Sequence, residues 1–185
     1  MGFVDGFMTI SDSGIRRWEV DLLAVYPDHW RQGIAKQLIR ATTDAGSRDL
    51  KAHIARALIH VDNVGSMRSF ERCGYHTQDE IYGLYISTVE GVSHDWHTER
   101  IHLIPVNTFN YCGLWIEGDL SPDAFQYANN MRHYHQLDLC GTVISTHHEK
   151  IVRAALQAGY HLVGHYRWWE LPIQSVRQDA VLEPQ

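Results

Sequence analysis

The sequence predicts an α/β (α+β) fold in which a mixed β-sheet is flanked by helices, and three observations lead to that prediction. Short apolar stretches with the period of strands alternate with segments that have the 3.6-residue period of helices. A glycine-containing loop at residues 31–35 lies between a predicted strand and a predicted helix. An internal repeat relates the two halves of the chain, which predicts a tandem of two similar units.

The first unit, residues 1–87, has the predicted element order β-β-α-β-α-β. Turn-forming residues at 11–14 separate the first two strands, which are expected to pair as a hairpin. The predicted strands cover residues 3–10, 18–25, 54–61 and 75–87, and the predicted helices run from Gly33 to Gly46 and from Asn63 to just before Gly74.

The second unit, residues 100–173, follows a polar connection at residues 88–99 and precedes a tail at residues 174–185 that is expected to be frayed. Its apolar pattern predicts strands and helices in nearly the same order as in the first unit. Two strands are expected within residues 100–117, a helix from Pro122, a strand at 142–146, a helix at 148–158 ended by Gly159, and a strand at 161–171.

The repeat itself aligns residues 57–76 with residues 142–161 without a gap. Identical residues and the same strand-then-helix pattern favour a duplication, and chance similarity of two β-α-β segments is the alternative. The turn at residues 119–123 in the second unit contains no glycine, so the two units differ where a ligand-binding loop would lie. The matched identities are Arg68, Gly74, Tyr75 and His76 with Arg153, Gly159, Tyr160 and His161.

Composition narrows the classes of function. The chain has 185 residues and a net charge of −6 with histidine neutral, which argues against nucleic acid as a partner. This charge is compatible with a cationic amine substrate, and an ordinary soluble surface is the alternative interpretation. Cys73, Cys112 and Cys140 lack CxxC spacing, so reduced thiols are expected. No apolar stretch approaches the roughly 18 residues of a membrane span, and no signal peptide is recognised, which predicts a cytoplasmic protein without a membrane partner.

The segment from Trp30 to Ala35 favours an anion site. Glycine lets backbone N–H groups approach an anion closely, and the N-terminus of the following helix adds a favourable dipole. The string LLAVYPDHWRQGIAKQLI also resembles motif A of the GNAT N-acetyltransferase family, with Val25, Pro27 and Gly33 in the matching places, as well as Ala35.

A second motif lies about 30 residues downstream of the first. The string DNVGSMRSFERCGYH resembles GNAT motif B, and Asn63, Phe70, Gly74 and Tyr75 match it. The resemblance covers residues 3–87 and extends more faintly over residues 100–171. It implies a GNAT-like fold and an acetyl-CoA-dependent transfer of an acetyl group to an amine of a small molecule or a peptide.

The resemblance also assigns the acetyl-CoA site by position. It implies that the backbone of Leu23, Ala24 and Val25 pairs with the pantetheine arm and that the N–H of Val25 faces the thioester oxygen. Asn63 and Phe70 would line the path of CoA and the thioester, although an N-cap and a core residue are the alternatives for these two. The N–H groups expected to cradle the pyrophosphate belong to Arg31, Gln32, Gly33, Ile34, Ala35 and Lys36.

Two carboxylates are the candidate catalytic residues. Glu19 matches the position of the general base in the histone-acetyltransferase branch of the family. Asp21 lies two residues later on the same predicted strand and therefore points to the same face. Paired carboxylates could raise each other's pKa and attract a cationic amine. The alternative is a solvated face on which they pair with Arg16 or Arg17.

Two departures from the family pattern favour an alternative function, a non-catalytic acyl-CoA-binding or protein-interaction module. Trp30 stands where motif A carries Arg or Gln, and Phe70 stands where many members carry the tyrosine that protonates the departing thiolate. The close histidine pairs, including His94 and His97, form neither HExxH nor a Cys/His module, so no metal site is expected.

A complete GNAT domain begins with a strand and two helices before the hairpin seen here. The wall of the acceptor pocket would then come from the second unit folding over the first or from a partner subunit, as in a homodimer. We expect the first arrangement, which places the acceptor between the two units near Glu19. Trp115, Tyr127 and Trp168 are the candidate aromatic lining.

Overall fold

The computed structural model describes residues 1–91 and 101–173, which form one mixed sheet with helices packed against it. A short 3-10 helix, Pro27–His29, lies before the glycine loop. The elements are β1 (Gly2–Ile10), β2 (Arg16–Val25), α1 (Ile34–Arg48), β3 (Ile54–His60), α2 (Val64–Glu71), β4 (His76–Thr77), β5 (Tyr82–Ser87), β6 (Ile101–Asn107), β7 (Cys112–Gly118), α3 (Pro122–Tyr134), β8 (Leu139–Ser145), α4 (Glu149–Gln157) and β9 (His161–Pro172).

The strands are ordered β1-β2-β3-β9-β5-β8-β7-β6, and β4 adds a short pairing to β9. The β2–β3 and β7–β8 pairs are parallel, and the other pairs are antiparallel. The counterparts in the two halves are β1 and β6, β2 and β7, β3 and β8, and β5 and β9. Exchanging each strand for its counterpart gives the same order, read from the opposite edge of the sheet. The last strand of each half pairs with a strand of the other half: β5 pairs with β8, and β9 pairs with β3. The predicted mixed sheet flanked by helices is confirmed, and both halves build it together.

Two hydrophobic clusters hold the helices against the sheet, one in each half of the chain. Ile39 of α1 and Phe70 of α2 lie in the first cluster, and Phe125 of α3 lies in the second. Each cluster also contains an aromatic residue from the last strand of the other half: Trp169 of β9 in the first cluster and Tyr85 of β5 in the second. Because each core contains a strand of the other half, neither half has a complete core of its own.

The sheet curves until its two edge strands meet. On β6, Nε2 of His102 lies 2.8 Å from the carbonyl oxygen of Ile10 on β1. The N–H of Phe109, after β6, donates to Oδ2 of Asp5 on β1 at 3.1 Å. Pro105 lies within β6, where an edge strand tolerates the missing N–H. The near-closure creates a concave face that is lined by strands from both halves.

Two sequence predictions about element boundaries are wrong. Helix α1 continues through Gly46 to Arg48, because a glycine there lets the helix lie directly against the ring of Trp18. The indole Nε1 of Trp18 donates to Oγ1 of Thr42 on the same helix at 3.0 Å. The single strand expected at residues 75–87 is interrupted, so that β4 and β5 both pair with β9 at different points.

Two further predictions fall partly or wholly outside the described residues. The connection expected at residues 88–99 is described only as far as Gly91, and the tail at 174–185 is not described. Within the described ranges, no helix combines the length and the apolar character that a membrane crossing requires.

Candidate functional site

An open edge on β2 is the first component of the candidate site. The parallel pairing of β2 with β3 covers only Arg17–Glu19, so the edge of β2 from Val20 to Val25 is left without a strand partner. The N–H of Tyr26 donates to the carbonyl of Met1, at 2.9 Å, on the β1 side. Since successive residues of a strand point their N–H and C=O groups to opposite edges, those of Val25 face the open edge. The term slot is used below for this open edge of β2, Val20 to Val25, together with the gap that separates it from β3 after the last pair, Glu19 with Arg56.

The side chain of Trp30 is hydrogen-bonded to one of the backbone groups that face the slot. Its indole Nε1 donates to the carbonyl oxygen of Val25 at 2.7 Å, while the side chain remains 63% exposed. Sequence reasoning treated Trp30 only as a lost polar contact. The structure instead places it at the end of the slot, where it competes with any ligand that pairs with Val25.

The glycine loop, residues 31–36, begins where the slot ends. Arg31 and Gly33 have positive φ values of 62° and 78°, and Gly33 is the N-cap residue of α1. None of the N–H groups of residues 31–36 donates to an acceptor within the described part of the chain. Arg31, Gln32, Gly33 and Lys36 are exposed, and Ile34 and Ala35 are half-buried. Free N–H groups at the N-terminus of a 15-residue helix are an arrangement that can bind an anion.

Asn63 and Phe70 adopt the alternative roles considered for them. Oδ1 of Asn63 accepts a hydrogen bond from the N–H of Ser66 at 3.1 Å and caps α2. Phe70 is 3% exposed and packs edge-to-face on Tyr75, with ring centroids 5.0 Å apart. Burial raises the pKa of Tyr75 to about 12, and its hydroxyl is hydrogen-bonded to Thr43, at 2.6 Å, within the core. The side chain of Phe70 therefore reaches no ligand path in this conformation.

A cavity of about 540 Å³ lies on the concave face, between the two halves. It meets the slot at Val20 and Asp21 on one side and at Ala57 and Leu58 on the other. Its volume falls within the roughly 300–1,000 Å³ that is typical of small-molecule sites. As expected from the sequence, aromatic residues of the second half line it, including Trp115 and Trp168, whereas Tyr127 does not.

Four charged residues meet in the wall of this cavity and form an ion-pair cluster: Arg17, Glu19, Arg56 and Glu117. Nε of Arg56 donates to both carboxylate oxygens of Glu19, at 2.9 and 2.8 Å. Nη2 of Arg56 and Nη1 of Arg17 donate to Glu117 at 3.2 and 2.9 Å. The guanidinium carbon of Arg56 also lies 4.1 Å from the ring centre of Trp168.

The cluster constrains the role of Glu19. This residue is 7% exposed, and Oγ1 of Thr9 also donates to Oε1 of its carboxylate, so three hydrogen bonds surround it. Sequence reasoning considered Arg17 as a partner and missed Arg56 and Glu117. An arginine within the buried strand IARALIHV was the available signal for Arg56, since an arginine in a buried strand requires a partner.

Asp21 has a different environment from Glu19. It lines the rim of the cavity and keeps an exposed surface, and its carboxylate has no hydrogen-bond or salt-bridge partner among the described residues. Partial burial, together with the negative charges of Asp5 and Glu19, raises the pKa of Asp21 to about 6. A carboxylate with this pKa can accept a proton near neutral pH.

Tyr111 is a candidate proton donor that sequence reasoning missed. It lines the cavity, and its hydroxyl oxygen accepts a hydrogen bond from Nε1 of Trp115 at 3.2 Å, so its own proton is free to be donated. Burial, with the negative charges of Asp21 and Glu19, raises the pKa of Tyr111 to about 12. The phenol is therefore protonated at neutral pH. No local sequence motif indicated this residue, because the curvature of the sheet brings it to the cavity.

The second half of the chain has no equivalent slot or loop. Its parallel pairing, β7 with β8, extends from Gly113 to Ile116 and leaves only two residues of β7 beyond it. The next helix, α3, is capped by the Ser121 side chain, which accepts from the N–H of Ala124 at 3.2 Å. This agrees with the missing glycine loop in the sequence and leaves a single slot in the described ranges.

Metal-binding groups were also considered. His94 and His97 lie outside the described residues. In residues 1–91 and 101–173, no three His, Cys, Asp or Glu side chains form a group that could hold a metal ion.

Comparison with known proteins gives a family match and several similar solved structures. The model of the Acetyltransferase (GNAT) family matches residues 2–75. The GCN5-related N-acetyltransferase from Sphaerobacter thermophilus aligns with a TM-score of 0.50 and 10% identity, over 91% of this chain and 76% of that chain. A GCN5-related glucosamine N-acetyltransferase region of a fungal multi-domain GH3 β-N-acetylglucosaminidase aligns with a TM-score of 0.51 and 12% identity, over 92% of this chain and 31% of that chain.

A NatC complex bound to Gag peptide and CoA is also similar, with a TM-score of 0.39 and 21% identity. That alignment covers 42% of this chain, which spans about half, 48%, of the NatC chain. No curated protein matches the chain. At these identities, the two alignments with TM-scores of 0.50 and 0.51 establish the fold and leave substrate and activity to be argued from the site.

Proposed function

We propose that the chain is an acetyl-CoA-dependent N-acetyltransferase that acts on an amine, from the premise that residues 2–75 match the model of the GNAT family and that the fold is GNAT-like. One observation carries the proposal. The unpaired edge of β2 connects a loop of free N–H groups, residues 31–36, with a cavity that contains an unpaired carboxylate, Asp21. An acyl-CoA and an amine would need such an arrangement to meet.

Acetyl-CoA is the proposed co-substrate, and its parts match the parts of the site. The N–H groups of residues 31–36 bind the pyrophosphate, because they are free and surround a helix N-terminus. The pantetheine arm lies along Leu23, Ala24 and Val25 as an added strand, pairing with the backbone groups that face the slot. The thioester then reaches the end of the slot at Val20 and Asp21, where the slot opens into the cavity.

The chemistry requires a neutral amine, because an ammonium ion has no lone pair for attack. In our proposal, the carboxylate of Asp21 accepts a proton from the bound ammonium. The amine nitrogen attacks the thioester carbonyl carbon, the carbon–sulfur bond breaks, and CoA leaves as a thiolate that takes a proton from the hydroxyl of Tyr111. The proton that the nitrogen loses as the amide forms passes to the Tyr111 phenolate, and Asp21 releases its proton to solvent. An N–H group of β2 that faces the slot close to Asp21 stabilises the negative charge on the thioester oxygen.

Glu19 was the other candidate base from the sequence. Three hydrogen bonds surround its carboxylate, including both bonds from Arg56, whereas the Asp21 carboxylate accepts none from the described residues. We therefore assign proton transfer to Asp21. The proposed role of Glu19 is to fix Arg56 against Trp168 and to raise the pKa of Asp21 through its negative charge.

A non-catalytic acyl-CoA-binding module is the second candidate, and Trp30 is the observation that favours it. Its bond to the carbonyl of Val25 removes one partner that the pantetheine arm would use. An enzyme must release this bond on binding acetyl-CoA or leave that carbonyl out of the pairing. A binding module could bind CoA without bringing the thioester to Asp21.

We also propose that the chain consists of two related units, residues 1–87 and 100–173. The reversible strand order and the shared sequence of residues 57–76 and 142–161 support this division. The second unit supplies the cavity wall that carries Trp115 and Glu117. The three cysteines are free, which suits the reducing environment of the cytoplasm.

Calorimetric titration with acetyl-CoA, and with CoA for comparison, tests the proposal when combined with assays of CoA release from an amine panel. Gly33→Val should abolish binding, since φ at Gly33 is +78° and a β-branched residue cannot keep this loop conformation without strain. Gly14→Val is a matched control, because Gly14 also has a positive φ, +82°, and open space around the site of a Cβ.

The outcomes separate the candidates. Micromolar binding that is lost in Gly33→Val and kept in Gly14→Val, together with amine-dependent CoA release, supports the transferase. Binding without release for any amine supports the binding module. Absence of acetyl-CoA binding at millimolar concentration contradicts both.

A further inference from the structure

With the proposed acetyl transfer as its premise, the geometry points to a substrate class: we propose that the acceptor is a small primary amine on an uncharged, apolar body. The cavity should discriminate against amines that carry a second positive charge. Three features of the cavity lead to this inference: its charge balance, its apolar walls and its closed side.

The charge balance leaves one place for an ammonium group. The two arginines and two glutamates of the ion-pair cluster neutralise each other through contacts of 2.8 to 3.2 Å. Asp21 is the carboxylate in the cavity lining that has no partner among the described residues. It lies where the cavity meets the slot. One ammonium therefore finds one unpaired carboxylate, close to the proposed position of the thioester.

The walls away from Asp21 are apolar. They are formed by aliphatic side chains from strands of both halves, among them Leu58, Leu84, Ile86, Leu139, Val143 and Val163. A second ammonium in this region would lose its hydration without gaining a carboxylate or a hydrogen-bond acceptor, and this is costly. Nη1 of Arg56 donates to no described residue, and as a donor it offers a second ammonium no acceptor.

Flat aromatic surfaces complete the lining. Trp115, Tyr166 and Trp168 line the same cavity, and Arg56 stacks on Trp168. An alkyl chain or a ring of the acceptor can pack on these surfaces and bury its apolar area.

The edge strands β1 and β6, which line the cavity with Phe7 and Ile104, are in contact with each other, so the sheet is closed on this side. His102 and Phe109 bond to Ile10 and Asp5 at 2.8 and 3.1 Å and so join β6 and its following turn to β1. An extended peptide that entered from this side would have to break both bonds. A compact amine enters without this cost.

A matched pair of amines tests the inference. Hexylamine and 1,6-diaminohexane have the same six-carbon chain and differ by one ammonium group. With saturating acetyl-CoA, we expect kcat/KM for hexylamine, measured by CoA release, to exceed that for 1,6-diaminohexane by roughly 100-fold or more. A short peptide with a free N-terminus should be a poor acceptor. Binding of both amines to the protein without acetyl-CoA, measured by calorimetry, should follow the same order.

Leu84→Glu supplies the carboxylate that the apolar wall lacks. It should reduce the preference for hexylamine at least tenfold, because the second ammonium of the diamine gains a partner. Leu162→Glu makes the same change on β9 outside the cavity lining, at a residue that is 42% exposed, and should leave the preference unchanged. Val143→Glu, opposite Leu84 on β8, gives a second test if Leu84→Glu does not fold.

The results distinguish this inference from the proposed function. If acetyl-CoA binds but the diamine or the peptide is acetylated as well as hexylamine, the substrate class is wrong and the transferase stands. If acetyl-CoA does not bind but hexylamine binds selectively, the transferase is wrong and the selectivity of the cavity stands. If neither amine binds, the assignment of the cavity as the acceptor site is overturned.

Discussion

Replacement of Asp21 by Asn is the perturbation that most clearly separates its proposed role from that of Glu19. The pKa of Asp21 is raised to about 6, so the carboxylate should be roughly 90% ionised at pH 7 and about half ionised at pH 6. If the wild-type protein has the proposed activity, its kcat/KM should therefore rise with pH through a midpoint near pH 6, which forms the acidic limb of the profile. Asp21→Asn, which cannot accept the proton, should lower kcat roughly 100- to 10,000-fold, the usual contribution of a general base.

The assay is CoA release with hexylamine at saturating acetyl-CoA, measured between pH 5 and 9. Ionisation of the amine itself also raises the rate with pH, and the Asp21→Asn profile isolates that contribution because it lacks the carboxylate. Unchanged binding of acetyl-CoA to the variant would locate the loss in the chemical step.

Glu19→Gln provides the comparison. The negative charge of Glu19 contributes to the raised pKa of Asp21, so its removal should move the acidic midpoint to lower pH while the limb itself remains. A wild-type profile without a limb near 6, or an Asp21→Asn variant with near-normal turnover, would refute the base assignment. Loss of the limb in Glu19→Gln alone would identify Glu19 as the base.

Three other predictions follow from the same contacts. Trp30→Ala frees the carbonyl of Val25 and should tighten acetyl-CoA binding up to about tenfold, which is the equivalent of one hydrogen bond. Calorimetric titration measures this change, and weaker binding would mean that Trp30 contacts the ligand. Glu19→Gln breaks a buried ion pair and should destabilise the fold by roughly 3 kcal/mol in denaturant unfolding, and an unchanged midpoint would contradict the structural role of the cluster. Asp21→Asn should stabilise the fold by about 1 kcal/mol above pH 6, a figure that allows for the exposure of this side chain, because the raised pKa of Asp21 means that its ionisation opposes folding. The gain in stability should disappear as the pH falls towards 4, and a gain that is independent of pH would contradict the prediction.

Features encoded by neighbouring residues were predictable from the sequence. The strand–loop–helix segment around Gly33 and the order of elements depend on local periodicity and turn chemistry, and the structure reproduces them. Gly46 shows the limit of local rules, because a residue that usually ends a helix is retained inside α1 by its contact with Trp18. That contact joins two elements and leaves no local signal.

The cavity depended on pairings that a single sequence does not specify. The crossing of β5 and β9 is set by register between strands far apart in the chain, and it determines which residues share the concave face. Arg56 and Glu117 are 61 positions apart and meet only because the sheet curves. The expectation that the acceptor lies between the two units, near Glu19, remains a proposal, and it now has a defined cavity for its test.

Hydrogen–deuterium exchange with and without acetyl-CoA tests the central claim most directly, since the claim is the location of the co-substrate. Free N–H groups in the glycine loop and at the open edge of β2 exchange readily unless a ligand covers them. We predict that acetyl-CoA protects segments covering residues 23–25 and 31–36, with no protection at the turn of residues 119–123. Protection confined to the second half, or no change at the glycine loop under conditions where acetyl-CoA is bound, would contradict the account.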